Sequence, residues 1–434
     1  MTRRYVFAAY NLILAVLSPI IALGILYRVY VSRKSRDSWR DQLGHPSVPD
    51  EIRRKRPIWV HAVSVGESVA AAKIVSEMKR LLPDVPVVVS STTRTGREMA
   101  QKSIKDADLF IYYPFDLSPC VSASIRRVNP RLFASVDTEI WPNFRHIARQ
   151  LGVKSAMMNG TVSDRTTKGA RRLPWMYRWA LGNIDLLCMQ SEADAERIVS
   201  IGADESRVMV TGNCKADESS RPLSQQDQSE LRSRYGFPPE APVFVAGSTN
   251  PGEEESVIAA YAASRQTHPT LKLIIAPRHV ERGEEIRQMA RSAGFAAGRR
   301  SEPATITGAQ EVVVLDTFGE LANVYAIADV TFVGGTLIRK GGHSLIQPIA
   351  QGKPVFFGPH TFKTRDIAAQ ALSFGVGFRV VDERELAEGI SRLTGANELL
   401  KDIAERCAQM MEANRGASAR TAQAVLSLLA DRAR

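Results

Sequence analysis

The sequence predicts an α/β protein with two doubly wound, Rossmann-like domains that face each other across a cleft, preceded by an N-terminal membrane-anchor helix. Three observations predict this fold. At 434 residues the chain is too long for one ordinary domain and fits two of about 200 residues. Beyond the N-terminus, short β-rich runs alternate with longer helical stretches, as is typical of parallel α/β layers. A polar segment without periodicity, residues 217–222, divides these runs near the middle of the chain.

The N-terminal segment from Tyr5 to Tyr27 has no charged side chain over 23 residues, which is long enough to cross a bilayer. Basic residues follow it directly, and residues 1–60 hold 11 Lys or Arg against 4 Asp or Glu. By the positive-inside rule, this bias keeps the following domains in the cytoplasm. Asn11 and Pro19 interrupt the segment, so a helix lying in the membrane interface is the alternative to a spanning one. Residues 1–30 are therefore predicted to attach the protein to membrane lipids.

Composition indicates a globular protein, with 44% apolar and 24% charged residues. The net charge of +11 is concentrated beside the apolar N-terminal segment, and no nucleic-acid-binding motif accompanies it, so nucleic acid is not expected as a partner. The 4 cysteines are widely spaced and the 7 histidines are scattered, without the spacing of a zinc site. The cysteines are therefore predicted to be reduced, and no metal site is predicted.

The alternation of strands and helices divides the chain into an N-terminal domain over 31–216, a linker over 217–228 and a C-terminal domain over 229–434. The predicted strands of the first domain span 57–62, 85–90, 109–113, 132–136, 153–158, 185–190 and 207–211. Those of the second span 243–247, 271–276, 311–315, 329–333, 354–357 and 377–381. Ligands of such sheets bind beyond the carboxyl ends of the strands, which here means the cleft.

A carboxylate, Glu67, lies just past the first predicted strand, in a small-residue turn that leads into residues 68–73, a stretch of good helix formers. In the first turn of a helix, a carboxylate meets the positive end of the helix dipole and unpaired backbone donors. These keep it ionised and able to accept a proton. Glu67 is therefore a candidate general base; the alternative is that it only caps the helix.

Polar residues also follow successive predicted strands of the second domain: Arg278 and His279 after one strand, residues 316–320 after the next, and 334–336 after a third. A guanidinium beside backbone amides freed by glycine suits a nucleotide phosphate. The dinucleotide fingerprint and the P-loop motif are both absent, which disfavours dinucleotide oxidoreductases and P-loop enzymes.

The chain resembles, nearly end to end, the Kdo (3-deoxy-D-manno-octulosonic acid) transferases of lipopolysaccharide synthesis, which are GT-B glycosyltransferases. The matching segments in the first domain are 59–67, 138–143, Asn159 with Ser163 and Arg165, and 212–217. Those in the second are 247–249, 252–254, 276–282, 316–321, 332–336 and 341–343. The resemblance implies an inverting transfer of Kdo from CMP-Kdo to a lipid A precursor, without a metal, at the cytoplasmic face of an inner membrane.

The resemblance also implies roles for individual residues. Glu67 matches the family's catalytic base, and Asp137 and Lys215 match charged residues that support the transition state. The positions that match the family's CMP-binding residues are Pro277, Arg278, Phe318, Gly319, Glu320, Ser344, Leu345, Ile346 and Gln347.

Several positions depart from the family pattern. The family has Asn and Glu where this chain has Ser344 and Gln347, so a charge-assisted hydrogen bond to the donor is replaced by a weaker neutral one. Asp137 replaces a Glu, Thr161 an Arg and Asn250 a His. These departures leave two alternatives: a GT-B transferase with a different sugar-nucleotide donor, and a membrane-attached binding protein that has lost catalysis. The oligomeric state is not predicted.

Overall fold

The computed structural model describes residues 3–26, 38–217 and 222–430. The chain forms two compact units, Met1–Glu218 with Gly416–Arg434 and Ser219–Arg415. The cleft predicted between them stays a prediction.

The α-helices and 3-10 helices of the described residues follow in chain order. The α-helices are α1 (Arg3–Leu26), α2 (Trp39–Gln42), α3 (Asp50–Arg54), α4 (Val65–Leu81), α5 (Arg94–Ser103), α6 (Ser118–Val128), α7 (Pro142–Gln150), α8 (Asp164–Arg172), α9 (Pro174–Leu181), α10 (Glu192–Ser200), α11 (Gln225–Arg234), α12 (Glu254–Ser264), α13 (Gly283–Ser292), α14 (Leu321–Val324), α15 (Ile346–Ala350), α16 (Arg365–Ser373), α17 (Glu383–Leu393), α18 (Asn397–Asn414) and α19 (Ala417–Ala430). The 3-10 helices are Glu205–Arg207, Cys214–Ala216, Val280–Arg282, Pro303–Thr305 and Tyr325–Ile327.

Each unit contains one parallel sheet. The first is built from β1 (Ile58–His61), β2 (Val87–Ser91), β3 (Leu109–Tyr112), β4 (Leu132–Val136), β5 (Lys154–Gly160), β6 (Leu186–Met189) and β7 (Val208–Val210), in the order β3-β2-β1-β4-β5-β6-β7. The second is built from β8 (Val243–Thr249), β9 (Lys272–Pro277), β10 (Ala297–Arg299), β11 (Val312–Val314), β12 (Val330–Val333), β13 (Val355–Phe357) and β14 (Gly377–Arg379), in the order β10-β11-β9-β8-β12-β13-β14. Every predicted strand is present, with ends that differ by at most two residues. The short strand β10 was not predicted, because Ala297-Gly298-Arg299 has no β-type pattern.

The strands are apolar and buried because helices cover both faces of each sheet. In the first sheet, Ile58 and Val60 enter a core shared with Ile74 of α4 and Val425 of α19. Trp59, between them in sequence, enters a second core on the opposite face. This alternation follows from the two-residue period of a strand.

The strand order reverses between β1 and β4 in the first sheet and between β8 and β12 in the second, where β11 also lies between β9 and the edge strand β10. In open parallel sheets, ligands bind beyond the carboxyl ends of the strands at this switch point. The segments that follow β1, β4, β8 and β12 are therefore the places to look for a site.

Helix α1 packs its N-terminal half on the first unit. Val6 is buried, and the Phe7 ring centroid lies 4.3 Å from that of His146. Asn11 Nδ2 donates to Asn143 Oδ1 over 2.9 Å. The opposite side of α1 presents exposed apolar side chains, those of Tyr5, Leu12, Ile13 and Val16.

Over the described ranges 3–26, 38–217 and 222–430, we find no helix with both the length and the apolar character needed to cross a membrane. The predicted spanning segment is thus not supported. Residues 27–37, which contain most of the basic residues that follow the apolar segment, lie outside the described residues.

The C-terminal helix corrects the predicted domain bounds. Residues 416–434 were assigned to the C-terminal domain, but they belong to the first unit. The Asp217 carboxylate accepts hydrogen bonds from the N–H groups of Gly416 and Ser418, both over 2.7 Å, at the start of α19. The apolar face of α19 then covers α4, so the chain returns to the unit in which it began. Within the predicted linker, residues 218–221 lie outside the described residues and Gln225 already begins α11.

Candidate active site

Glu67 lies in the first turn of α4, directly beyond β1. The Val63 N–H donates to Glu67 Oε2 and the Ser64 hydroxyl donates to Oε1, each over 2.7 Å. Ser64 Oγ in turn accepts from the Glu67 N–H. Ser64 is the N-cap of α4, and the Glu67 carboxylate reaches back to the residue before it in a variant of the capping box, so Glu67 does help to cap the helix. Each carboxylate oxygen has a second lone pair, and 9% of the residue is exposed, so the same carboxylate is able to accept a proton from a bound hydroxyl.

Asp137 follows β4, the neighbour of β1 at the switch point. Its φ of +62° is the left-handed conformation, which is uncommon for a residue other than glycine and clusters at functional sites. The Asp137 N–H donates to the Met158 carbonyl over 2.9 Å, and its carboxylate accepts from the Thr138 N–H over 2.8 Å. Burial raises the pKa of Asp137 to about 6, against the opposing effect of the Lys215 charge.

Glu139, two residues further on, joins these carboxylates. Burial raises its pKa to about 7, and the negative charges of Glu67 and Asp137 contribute to the rise. Strands β1 and β4 pair up to His61 and Ser135, so the three carboxylates follow adjacent strand ends. Glu139 was given no role in the sequence analysis. Its position offers a signal, because it is the second acidic residue after the buried strand β4 and lies two positions beyond Asp137.

Lys215 lies on the 3-10 helix Cys214–Ala216, which two asparagines hold in place. Asn213 Oδ1 accepts from the Lys215 N–H over 3.0 Å, and Asn159 Oδ1 accepts from the Cys214 N–H over 2.9 Å. A Cβ added to Gly66 would be 3.7 Å from Lys215 Nζ. The Lys215 ammonium therefore lies beside the first turn of α4. The first switch point therefore brings together Glu67, Asp137, Glu139 and Lys215, three of which were predicted as catalytic.

Two buried basic side chains support this cluster from the interior. Arg145, fully buried, donates from Nη2 to Ser135 Oγ over 2.5 Å and to the Glu139 carbonyl over 3.4 Å. His61 is also buried, which lowers its pKa to about 3 and keeps it neutral. Its Nδ1 lies 3.0 Å from Ser90 Oγ. Both side chains fix the strand ends beneath the cluster.

At the second switch point, the structure differs from the predicted phosphate site. The backbone amides of residues 334–336 were expected to face a phosphate, but other groups already bond them. The Glu253 carboxylate, fully buried, accepts from the N–H groups of Gly335, Thr336 and Leu337 over 2.6, 3.0 and 3.0 Å. The Gly334 N–H donates to the Gly247 carbonyl. A buried carboxylate thus occupies the place predicted for a phosphate.

His343, near this switch point, forms a group with Arg278, Lys363 and His279, of which Arg278 and Lys363 are cations. Burial and then the charges of Arg278, Lys363 and His279 lower the pKa of His343 to about 4, so its imidazole is neutral. Its Nε2 lies 3.3 Å from Asn250 Nδ2, which serves as the donor. The Arg278 side chain is exposed, and its backbone N–H donates to the Thr249 carbonyl over 2.8 Å. This arrangement suits an anionic ligand.

The other predicted donor-binding residues differ in what they present. Phe318 is 77% exposed, Gly319 has a φ of +87°, and Glu320 accepts from Arg300 Nε over 3.0 Å. Ser344 is exposed and Gln347 half-buried, beside the His343 group. Leu345, Ile346 and Pro277 are buried, and their part in donor binding stays a prediction.

Fold and site together define a class of protein: an enzyme of two doubly wound units, with a carboxylate cluster suited to proton transfer in one and an anion-binding group in the other. The fold matches UDP-GlcNAc 2-epimerase from Neisseria meningitidis with a TM-score of 0.59 at 12% identity, over 86% of this chain and 100% of that chain.

The family follows from the sequence relatives. The profile described as 3-deoxy-D-manno-octulosonic-acid transferase (kdotransferase) matches residues 37–218. The 3-deoxy-D-manno-octulosonic acid transferase of Bordetella pertussis is 30% identical over 431 residues, which cover 96% of this chain and 98% of that protein. This chain therefore belongs to the Kdo transferase family. A bifunctional glycosyltransferase/methyltransferase of Fusobacterium nucleatum is 31% identical over 85% of this chain, which spans 57% of that relative's length.

Proposed function

We propose that this protein transfers Kdo from CMP-Kdo to a lipid A precursor, with inversion at the anomeric carbon and with Glu67 as the general base. The observation that carries the proposal is the cluster of Glu67, Asp137, Glu139 and Lys215 at the first switch point. The family of the chain and the name of its Bordetella pertussis relative supply the donor sugar.

The proposed reaction is a single displacement at the anomeric carbon of Kdo. The acceptor hydroxyl oxygen attacks the anomeric carbon of Kdo, and the bond between that carbon and the phosphate oxygen breaks. CMP leaves with the electron pair, and the hydroxyl proton passes to Glu67. Inversion follows from attack on the face opposite the leaving group.

In this proposal, the remaining charged residues stabilise the negative charge of the donor and of the transition state. Lys215, beside the first turn of α4, is placed to balance negative charge that develops on the reacting groups. Two cations that act on His343, Arg278 and Lys363, would hold the phosphate or the sugar carboxylate of the donor. No metal is part of the proposed mechanism.

We place the protein at the cytoplasmic face of an inner membrane. Support comes from α1, whose side opposite to the protein carries exposed apolar residues, Tyr5, Leu12, Ile13 and Val16. Such a face suits a helix that lies in the membrane interface. This location would bring the first unit to an acceptor that is itself a lipid.

A different sugar-nucleotide donor is the second candidate, and the Gln347 and Ser344 departures favour it. Gln347 offers a neutral oxygen where the family has a carboxylate. A thermal-shift comparison of CMP, UDP and CMP-Kdo separates the two donors, because a ligand at 100 times its dissociation constant stabilises the folded protein by about 2.7 kcal/mol. Stabilisation by UDP without stabilisation by CMP would favour this second candidate.

The decisive experiment is a transfer assay with purified full-length protein, CMP-Kdo and a lipid A precursor, followed by mass spectrometry. We expect a product heavier by one or more Kdo residues. Absence of product, while a relative known to transfer Kdo is active in the same assay, would overturn the donor or acceptor assignment.

A further inference from the structure

The first unit contains a second polar feature, separate from the carboxylate cluster: a cavity of about 580 Å³ against α8 and α9. Its lining consists of three basic side chains, two hydroxyl-bearing side chains and a glycine: Arg165, Lys168, Arg172, Thr166, Tyr177 and Gly169. None of these lining residues is acidic. The lining therefore offers hydrogen-bond donors and positive charge to a ligand.

The charge of this region is local and strong. Helix α8 carries four basic residues, Arg165, Lys168, Arg171 and Arg172, against one acidic residue, Asp164. All four basic side chains are exposed. Arginine presents a planar fork of donors that matches the oxygens of a phosphate, and lysine adds a point charge.

The cavity is shaped by a close approach of α9 to α8. A Cβ at Gly169 would lie 2.8 Å from Tyr177 Oη, so glycine allows the phenol to lie directly over the helix. Leu173 and Trp175, at the junction of the two helices, are 42% and 38% exposed. Exposed apolar side chains therefore adjoin the cationic ones at this edge, which suits a ligand with a phosphate and a lipid portion.

The backbone connects this cavity to the carboxylate cluster. The Thr138 hydroxyl, next to Asp137, donates to the Thr161 carbonyl. Arg165 is four residues beyond Thr161, so its Cα lies within about 14 Å of that contact even for a fully extended chain. The Asp194 carboxylate accepts from the Val162 N–H over 2.6 Å and fixes the connecting segment. The cavity and the segment that carries Asp137 therefore lie on connected parts of the first unit.

We infer that this cavity, lined by Arg165, Lys168 and Arg172, is a subsite for a phosphomonoester carried by the acceptor glycolipid. The inference rests on the proposed function, since it assumes that the acceptor hydroxyl binds at Glu67. The subsite would hold the acceptor by its phosphate and turn the attacking hydroxyl toward the carboxylates. Its effect is on acceptor binding rather than on the chemical step.

Two adjacent arginines provide a matched test. Arg172 lines the cavity and Arg171 does not, although both are exposed residues at the end of α8. Arg172→Gln and Arg171→Gln therefore make the same change in charge and in helix-terminus electrostatics. The probes are a lipid A precursor with its phosphates and the same glycolipid after phosphatase treatment, measured with full-length protein in the absence of donor.

We expect Arg172→Gln to weaken binding of the phosphorylated glycolipid about tenfold, as the loss of one charged hydrogen bond implies, while Arg171→Gln changes it less than about twofold. Binding of the dephosphorylated glycolipid should be equal in the two variants and the wild type. In transfer assays the Arg172→Gln loss should appear in KM for the acceptor, with kcat and the KM for the donor unchanged.

Equal effects of the two variants on the phosphorylated glycolipid would overturn the subsite. So would a loss by Arg172→Gln that appears only with vesicles containing phosphatidic acid, since a membrane headgroup would then be the ligand. Failure of the proposed function looks different: the glycolipid would bind in an Arg172-dependent manner while no Kdo is transferred. Transfer without any Arg172 dependence would reject the subsite and leave the function standing.

Discussion

Glu67 and Glu253 occupy corresponding places in the two units, each at the start of the helix that follows the first strand of its sheet. Glu67 accepts one backbone N–H and one hydroxyl, and 9% of it remains exposed. Glu253 is fully buried and accepts four backbone N–H groups, three from residues 335–337 and one from Asn250. The same residue type thus has lone pairs available for chemistry in one unit and serves as a structural anchor in the other.

The charges around the two glutamates also differ: carboxylates lie around Glu67, and cations lie near Glu253. Around Glu67, burial and mutual repulsion raise the pKa values of Asp137 and Glu139 to about 6 and about 7. Near Glu253, burial and then the positive charges of Arg278 and Lys363 lower the pKa of His343 to about 4. The first switch point is therefore suited to accept a proton, and the second to hold an anion.

The largest expected effect comes from Glu67→Gln, which removes the proposed base and keeps the shape of the side chain. The amide is still able to accept from Val63 N–H and to donate to Ser64 Oγ, so the helix cap persists. We expect the transfer rate to fall about a thousandfold, within the usual range for loss of a general base. Glu77→Gln on the same helix is the control and should retain activity. If the Glu67→Gln protein were as active as the wild type, Glu67 would not be the general base and its role would be to cap the helix.

Glu253→Gln should act on stability instead. The amide NH2 group would face backbone N–H donors, leaving two of them unpaired in the interior, at a cost of about 3 kcal/mol. Hydrogen exchange of the peptide that contains residues 335–337 should accelerate about a hundredfold. Glu255→Gln, exposed on the same helix, should leave this exchange unchanged. Unchanged exchange in Glu253→Gln would show that these amides do not depend on the carboxylate.

Lys215→Met tests whether the ammonium serves the carboxylate cluster. We expect a loss of about a hundredfold in kcat, similar to the removal of one preorganised donor. Because the Lys215 charge lowers the pKa of Asp137, the acidic limb of the pH–rate profile should move to higher pH in the variant. Lys73→Met, on the exposed side of α4, provides the comparison. An acidic limb at the same pH as in the wild type would show that the Lys215 charge does not set the pKa of Asp137 that controls the rate.

The smallest effect is a pH dependence of stability from Asp137. Its pKa of about 6 in the folded protein exceeds its unfolded value near 3.8, so its protonated form favours folding. This contribution is present below about pH 4 and is lost as the pH rises through about 6. Asp137→Asn, which tolerates the left-handed backbone, should stabilise the first unit by about 1–2 kcal/mol at pH 8 and little at pH 4. Denaturation midpoints at both pH values measure this, and an equal change at both would contradict it.

Local features of the fold were predictable because local forces set them. Runs such as Ile58-Trp59-Val60 are apolar on both faces and form buried parallel strands, and the cap formed by Ser64 and Glu67 has all its contacts within four residues. Strand β10 was missed because Ala297-Gly298-Arg299 pairs only through its neighbour β11. Its conformation depends on the sheet rather than on its own residues.

The sequence alone determined the strands, the turn before α4 and the family, because periodicity, caps and ordered motifs are written along the chain. Tertiary structure alone decided that Asp137, Glu139 and Lys215 meet Glu67, that Glu253 fills the expected phosphate cradle, and that α19 returns to the first unit. The physical reason is that these contacts join residues from 70 to about 350 positions apart through strand order and burial, about which local propensity carries no information.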